Sequence, residues 1–420
     1  VPAAANGHGK NAEADTAHGE KSPPLTAHGE SHAEVLDHGA QESESHHKDH
    51  GKEVPTGKPP TDSLVHAEAA DQGDTHPESE PSGPQMSLDE RAALRELAEI
   101  HASRGDLDRA LPSIRKLLRL PTEDVALLSL ATEVYLGTGN YQEALATAHK
   151  AYLHAAPGRT DLKVAAIMAR YRLGEVGQAL EEAAAAVKEH PTDLDLLMAL
   201  ATMEVEMGPG HSGYGSTLAQ VLKQKPNHTP ALYLNGRKAQ LEGNYKDAEL
   251  LFRAVLKQDP RHAKARAQLG MALYHLDRLP EAETEFLATL AVNPKDYNTW
   301  FNLGELHLRI AERTSAATAI RTRRAEAMEA LLKAVELNPD HAEAHFRIGV
   351  LLSGNGQYKE AIRHLEAARE VDSYHVPTLV QLAVAYENLK RLDLAKPLLE
   401  KALELDPEDK IAHFKLKRLD

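Results

Sequence analysis

The densest cluster of chemistry-bearing side chains in the sequence is His46, His47 and His50, grouped around Asp49. Neutral imidazoles at such short spacing are ligands for Zn, Ni or Cu, and flexible His-rich tracts hold these ions loosely. The cluster closes a run in which His-Gly pairs recur at His8, His18, His28 and His38, with Thr-Ala-His-Gly-Glu at 16–20 and again at 26–30. A ten-residue interval is too long for a structural zinc site, whose ligands pair two to five residues apart within a fold. Three readings stand open for the tract: a solvated spacer, a loose buffer for Zn, Ni or Cu, and a charge switch near pH 6, where its imidazoles take up protons. Other chemistry is absent. There is no HExxH, GxSxG, dinucleotide fingerprint or kinase set. The loop Gly208-Pro209-Gly210-His211-Ser212-Gly213-Tyr214-Gly215 has no following Gly-Lys-Ser/Thr and so is no phosphate cradle; it reads as a loose turn, with a hinge or a ligand-contact loop as alternatives. With no cysteine, disulfides, thiolate nucleophiles, Cys-ligated zinc and covalently attached haem are excluded. No enzymatic activity is expected, and no cofactor beyond loosely held metal.

The elements around these residues divide the chain in two. Residues 1–86 are rich in Pro, Gly, Ser, His, Glu and Ala and poor in large apolar side chains. Such a segment cannot bury enough surface to offset an ordering entropy of about 1–2 kcal/mol per residue, so a disordered tail is expected there. Charge is split the same way. Residues 1–90 hold 18 Asp/Glu and 5 Lys/Arg, nearly all of the chain's net −15, which leaves the rest close to neutral. Neither part has the basic stripe that nucleic acid requires, and no apolar run approaches the ~18 residues of a membrane span. The opening stretch VPAAANG fits a chain exported and trimmed of a leader, which would place it in a periplasm or outside the cell; a cytoplasmic location is the alternative.

From residue 91 onward a 34-residue period sets the architecture. In 229–262, Gly236, Gly243, Ala248, Phe252 and Pro260 occupy positions 8, 15, 20, 24 and 32. In 263–296 the series is Gly270, Ala282, Phe286 and Pro294, and in 342–375 it is Gly349, Gly356, Ala361 and Ala368. These residues resemble the tetratricopeptide repeat (TPR) family over about three quarters of the chain. Nine units follow, 91–124, 125–159, 160–193, 194–228, 229–262, 263–296, 297–341, 342–375 and 376–409, with a closing helix at 410–420. The resemblance implies an all-α, right-handed superhelical solenoid in which each unit is a helix–turn–helix. Small residues at 8, 20 and 27 permit close helix approach, and larger ones fill the gaps. A lone unit cannot bury its apolar face, so stacking supplies the stability. Unit 297–341 exceeds the period by 11 residues; longer helices are expected around 308–326, bearing Arg309, Arg313, Arg321, Arg323 and Arg324, and they read as a solvated helical extension, with a basic knob for an acidic partner, the chain's own acidic tail among the candidates, as the alternative.

The resemblance further implies that first helices line a concave groove whose ligand-facing residues sit at positions 2, 5, 9, 12 and 13. From residue 229 on, these positions hold Tyr233, Arg237, Gln240, Lys264, Met271, Tyr274, His275, Asn298, Phe301, Glu305, Arg309, Phe346 and Val350. Aromatic rings with a few charges suit a peptide or helix, and plain packing between helices is the other reading for each of these residues. The chaperone-type carboxylate clamp of the family is matched only at Asn302 and Arg347, so that mode is not expected. The function implied is a non-catalytic scaffold or adaptor that binds a protein or peptide, by analogy within a bacterial envelope assembly or secretion complex. The alternatives are a metal-handling protein using the His-rich tail and a self-assembling structural protein.

Overall fold

The computed structural model describes residues 86–419, and these are all helix and connecting turn. The expected disorder of 1–86 and the histidine cluster at 46–50 lie outside the described residues, apart from Met86. Nine helical hairpins follow one another: α1 (Leu88–Ser103) with α2 (Leu107–Leu117), α3 (Val125–Gly137) with α4 (Tyr141–His154), α5 (Thr160–Arg172) with α6 (Val176–Glu189), α7 (Leu194–Glu206) with α8 (Ser216–Gln224), and α9 (Thr229–Leu241) with α10 (Tyr245–Gln258). The series continues with α11 (Ala263–His275) and α12 (Leu279–Val292), α13 (Tyr297–Arg313) and α14 (Ala317–Leu337), α15 (Ala342–Gly354) and α16 (Tyr358–Val371), and α17 (Val376–Asn388) and α18 (Leu392–Leu405), and ends on α19 (Lys410–Leu419). None of these helices is long and apolar enough to cross a membrane.

Start signals in the sequence set the first helices. Asp124 Oδ1 accepts from the backbone N–H of Ala126 and Leu127, and Asp193 Oδ1 accepts from those of Asp195 and Leu196. At α11 and α15 a histidine takes that role: Nδ1 of His262 accepts from Ala265 N–H at 3.0 Å, and Nδ1 of His341 from Ala344 N–H at 3.2 Å. Each ring must be neutral to accept, because a protonated imidazole has no free lone pair. Most hairpin turns use a left-handed glycine at position 15. In two units a non-glycine residue holds that conformation, Asp277 at φ 65° and Lys390 at φ 62°.

Stacking is uniform. Each second helix packs on its own first helix and on the next first helix, and consecutive first helices touch each other from α1 to α13 and again from α15 to α17. The core contact is a large residue at position 24 seated on bare backbone at position 8. A Cβ on Gly236 would meet the Phe252 ring at 2.6 Å, and one on Gly270 the Phe286 ring at 2.6 Å. Both rings are fully buried. Leu331 and Leu365 occupy the same seats on Gly304 and Gly349.

Two units depart from the common pattern. In 297–341, Gly304, Ala327, Leu331 and Ala334 keep their contacts, so the 11 extra residues fall entirely at the hairpin tip. Accordingly α13 has 17 residues where most other first helices have 13, and α14 has 21 where most second helices have 14. In 194–228, the expectation of a loose turn is corrected. Glu204, 5% exposed, accepts from Thr217 Oγ1 at 2.8 Å and from its backbone N–H, and it leaves no room for a side chain at Gly213. Tyr214 donates its hydroxyl to Lys238 O and lies under the Lys238 ammonium, 5.1 Å from the ring centre. The turn is therefore fastened to α7 on one side and α9 on the other.

Helix propensity alone favours Gly270→Ala by up to about 1 kcal/mol. The Phe286 ring reverses that sign. Urea unfolding of Gly270→Ala should show a loss of about 1–3 kcal/mol from overpacking, and Gly270→Ala with Phe286→Leu should recover part of it.

Candidate functional site

Contact between consecutive first helices makes one continuous face, and the chemistry differs along it. In the third and fourth hairpins, α5 and α7 border a shallow, open cleft of about 350 Å³. Asp161, Val164 and Met168 of α5 face Asp195, Met198 and Thr202 of α7 across it. These residues occupy positions 2, 5 and 9 of two successive units, the same positions that the sequence reasoning applied only from residue 229 onward. The same spacing signal is present in 160–193 and 194–228. Methionines give this floor an adaptable apolar surface. Asp161 is held by Arg159 through contacts of 2.8 and 2.6 Å, which keeps its carboxyl below the usual range. Asp195 is exposed at the rim.

In the middle of the face the expected ligand-gripping aromatics are corrected. Phe301 and Phe346 are 4% and 9% exposed and belong to the core. Their rings pack on the capping histidine of the next unit, Phe301 on His341 at 4.7 Å and Phe346 on His375 at 5.1 Å between centres. Tyr233 makes the same contact with His262 at 5.3 Å and also meets Phe252, but it is only half-buried and keeps an edge on the face. The physical reason is geometric: position 5 lies in the seam between first helices, so a large ring there reaches the start of the next unit before it reaches a ligand. Burial holds the His341 imidazole below its ordinary range, which keeps it neutral and able to cap α15.

The other candidates divide similarly. Gln240 donates to Gln268 O at 3.1 Å and ties α9 to α11. Met271 packs on the central core, and Val350 on the cluster around Phe346. His275 stacks flat on Tyr245, 4.3 Å between centres. Arg237 and Asn298 are half-buried on the face, and Lys264 is exposed there. Arg237 makes no ion pair with a described carboxylate, which leaves its guanidinium available.

A charge cluster joins α11, α13 and α15. Arg309 lies over the Tyr274 ring at 4.5 Å, donates to Tyr274 O at 3.2 Å and pairs with Asp277 at 3.3 Å. Between α13 and α15, Arg347 stands with Nε 3.0 Å from both Glu305 and Glu343. One cation thus serves two carboxylates. Burial pushes the Glu305 carboxyl up to about 7, with Arg347 pulling it down and Glu343 and Glu312 pushing it further up. Asn302, one of the two matches to the carboxylate clamp, is 9% exposed, and Arg347, the other, is already engaged.

The basic extension is also corrected. Arg313 pairs with Asp277, and Arg323 with Glu283 and Glu326 at 2.8 and 2.9 Å, where it also contacts the buried His307. Only Arg321 and Arg324 remain exposed without an ion pair among the described residues. The five arginines therefore form no single knob. The described residues hold no group of three or more His, Asp or Glu suited to a metal ion.

Comparison with known proteins agrees with this geometry. Three family models, each described as tetratricopeptide repeat, match residues 239–305 and 352–419, residues 330–363, and residues 96–160, together more than half of the chain. A peroxisomal targeting signal receptor from Eremothecium gossypii is 27% identical over 374 residues, covering 79% of this chain and 62% of the receptor. Superkiller complex protein 3 from Mus musculus is 29% identical over 153 residues, 36% of this chain and 9% of that protein. The chain thus spans less than two thirds of the length of these relatives. Among solved structures, the APC/C hetero-tetramer Cut9-Hcn1 aligns with a TM-score of 0.54 at 14% identity, covering 82% of this chain and 79% of that one, a likeness of fold.

Two pH effects follow from these groups. Because Glu305 titrates higher when folded than its ordinary 4.5, the folded state holds the extra proton, and stability declines as pH rises from about 4.5 through 7. Glu305→Gln should match wild type near pH 4 and exceed it by about 2 kcal/mol at pH 8 in urea unfolding. His341 has the opposite sign: its depressed folded value makes stability complete above about 6.5 and progressively lost as pH falls below it. His341→Asn, which keeps an acceptor for Ala344 N–H, should flatten the wild-type decline between pH 6.5 and 5 in thermal melts.

Proposed function

This chain belongs to the tetratricopeptide-repeat family, and on that premise we propose that it is a non-catalytic adaptor that holds a segment of a partner protein along the face of its first helices. The observation that carries the reading is the cleft between α5 and α7, with its floor of Val164, Met168 and Met198 and its polar rim. An apolar floor edged by a few fixed charges grips a side chain of a peptide while backbone and rim contacts orient it. Further along the same face, Tyr233 and the unpaired Arg237 continue the surface and offer a ring edge and a guanidinium. Phe301 and Phe346 play no part in contact; they hold consecutive units in register so that the face stays continuous.

The relatives support the class of function. Among them are a receptor for a peroxisomal targeting signal and a protein of the Superkiller complex, which favours a binding role. The absence of catalytic signatures agrees with a role in binding. The partner is read as protein: the face has no run of cations for phosphate, and its apolar parts are too discontinuous for a lipid surface.

The test is a titration with the partner obtained by cross-linking to the full chain in its native setting. Met168→Lys with Met198→Lys should weaken binding at least about tenfold, about 1.4 kcal/mol, and Arg237→Ala about two- to tenfold. Unchanged affinity in both variants, with helical content intact by circular dichroism, would remove the first-helix face from the function.

A further inference from the structure

The 11 extra residues of unit 297–341 build a second cleft, away from the first-helix face. Most other second helices have 14 residues. Here α14 outreaches a typical second helix by seven residues, about 10 Å or two turns, while the following hairpin, α15–α16, keeps the standard length. Its tip therefore leaves the first turns of α14 open on one side. The space between them has a volume of about 730 Å³.

One wall is a single ridge of α14. Ile320, Arg324, Met328 and Leu332 recur at four-residue intervals and so lie one above another on the helix surface. Leu332 is 43% exposed although it sits in the body of the array. Arg321 stands beside this ridge at the open end. The other wall is made by Leu351 and Leu352 of α15, with Glu360 and His364 of α16. An apolar floor thus runs from Ile320 to Leu332 and across to Leu351, with cations at its outer end.

Charge tells what the cleft accepts. Every other arginine of this unit's tip is matched from within: Arg309 and Arg313 by Asp277, and Arg323 by Glu283 and Glu326. Arg321 and Arg324, three residues apart and on the cleft side of α14, make no ion pair among the described residues. The one carboxylate of the lining, Glu360, lies on the opposite wall and pairs with neither. Two fork-shaped cations at helical spacing beside an apolar ridge complement a helix that carries carboxylates at similar spacing along one edge. A ridge of i, i+4 side chains also offers the groove into which a second helix packs.

We propose that this cleft is a docking site for an acidic amphipathic helix of a partner protein, separate from the first-helix face. Its apolar stripe lies on Met328, Leu332 and Leu351, and its carboxylates pair with Arg321 and Arg324. Binding here leaves the first-helix face free, so the chain can hold two partners at once.

The experiment is a selection of displayed random peptides on the full chain, followed by affinity measurement of the enriched sequences as synthetic peptides. The expected result is a set with apolar residues three and four apart, flanked by Asp or Glu. These should bind at least about tenfold more weakly to Arg321→Glu with Arg324→Glu, and equally well to Met168→Lys with Met198→Lys. Replacing the peptide's acidic residues by Lys should restore binding to the doubly reversed variant. Where that reversal disturbs helical content, Arg321→Gln with Arg324→Gln serves the same comparison. The proposal is overturned if no enriched peptide responds to the arginine changes, if the responsive peptides are basic or uncharged, or if the same peptides are lost on the first-helix variant.

Discussion

The seat of a large second-helix side chain on a bare patch of first-helix backbone, repeated through four consecutive units, is the contact on which the C-terminal half of this array depends. Phe252 on Gly236, Phe286 on Gly270, Leu331 on Gly304 and Leu365 on Gly349 are the same contact four times. It fixes the distance within each hairpin, and by doing so it fixes where the next first helix can lie. Four consecutive units, from 229 to 375, share it, and along them each second helix packs on its own first helix and on the next. Stability in such an array is a sum over neighbours, so the geometry of each seat is carried along the chain.

A second layer of contacts sets the register between units. The ring at position 5 meets the histidine that caps the following first helix, as Tyr233 does with His262, Phe301 with His341 and Phe346 with His375. One imidazole serves two purposes there: its face packs on the ring, and in His262 and His341 its Nδ1 satisfies a backbone donor that the helix start would otherwise leave orphaned. The arrangement requires neutral histidine and so ties the seam to pH. Glu305 opposes it in sign, since its burial beside Arg347 favours the protonated form. Glu305 lies in α13 and His341 at the start of α15, and the two groups pull the pH dependence of this region in opposite directions.

The long unit shows how an irregularity is confined. Its core seats keep their residues, so the extra chain is expelled to the hairpin tip, where it lengthens both helices. The consequence is local: a cleft opens along α14. An insertion that spares the repeating contact thus makes new surface without breaking the array. The irregular turn of 194–228 follows the same logic, with Glu204 and Tyr214 fastening the loop to the neighbouring helices.

Taken by itself, the sequence determined the fold and its period, because the constraints are short in range and repeat. A glycine at 8, an alanine at 20 and a stop near 32 each act within one unit, and nine units in phase give one architecture. It also determined that the 11 extra residues near 308–326 lengthen helices, since their composition carries no turn signal strong enough to do otherwise. What tertiary structure alone decided is which outward side chains are free. Position 5 reads as ligand-facing from spacing, yet Phe301 and Phe346 are consumed by the histidine of the next unit, a contact forty and twenty-nine residues away. Five arginines read as one basic knob, yet Asp277, Glu283 and Glu326 take three of them and leave Arg321 and Arg324. Availability depends on partners that meet only when units stack, and pairing across units is not written in the spacing within one.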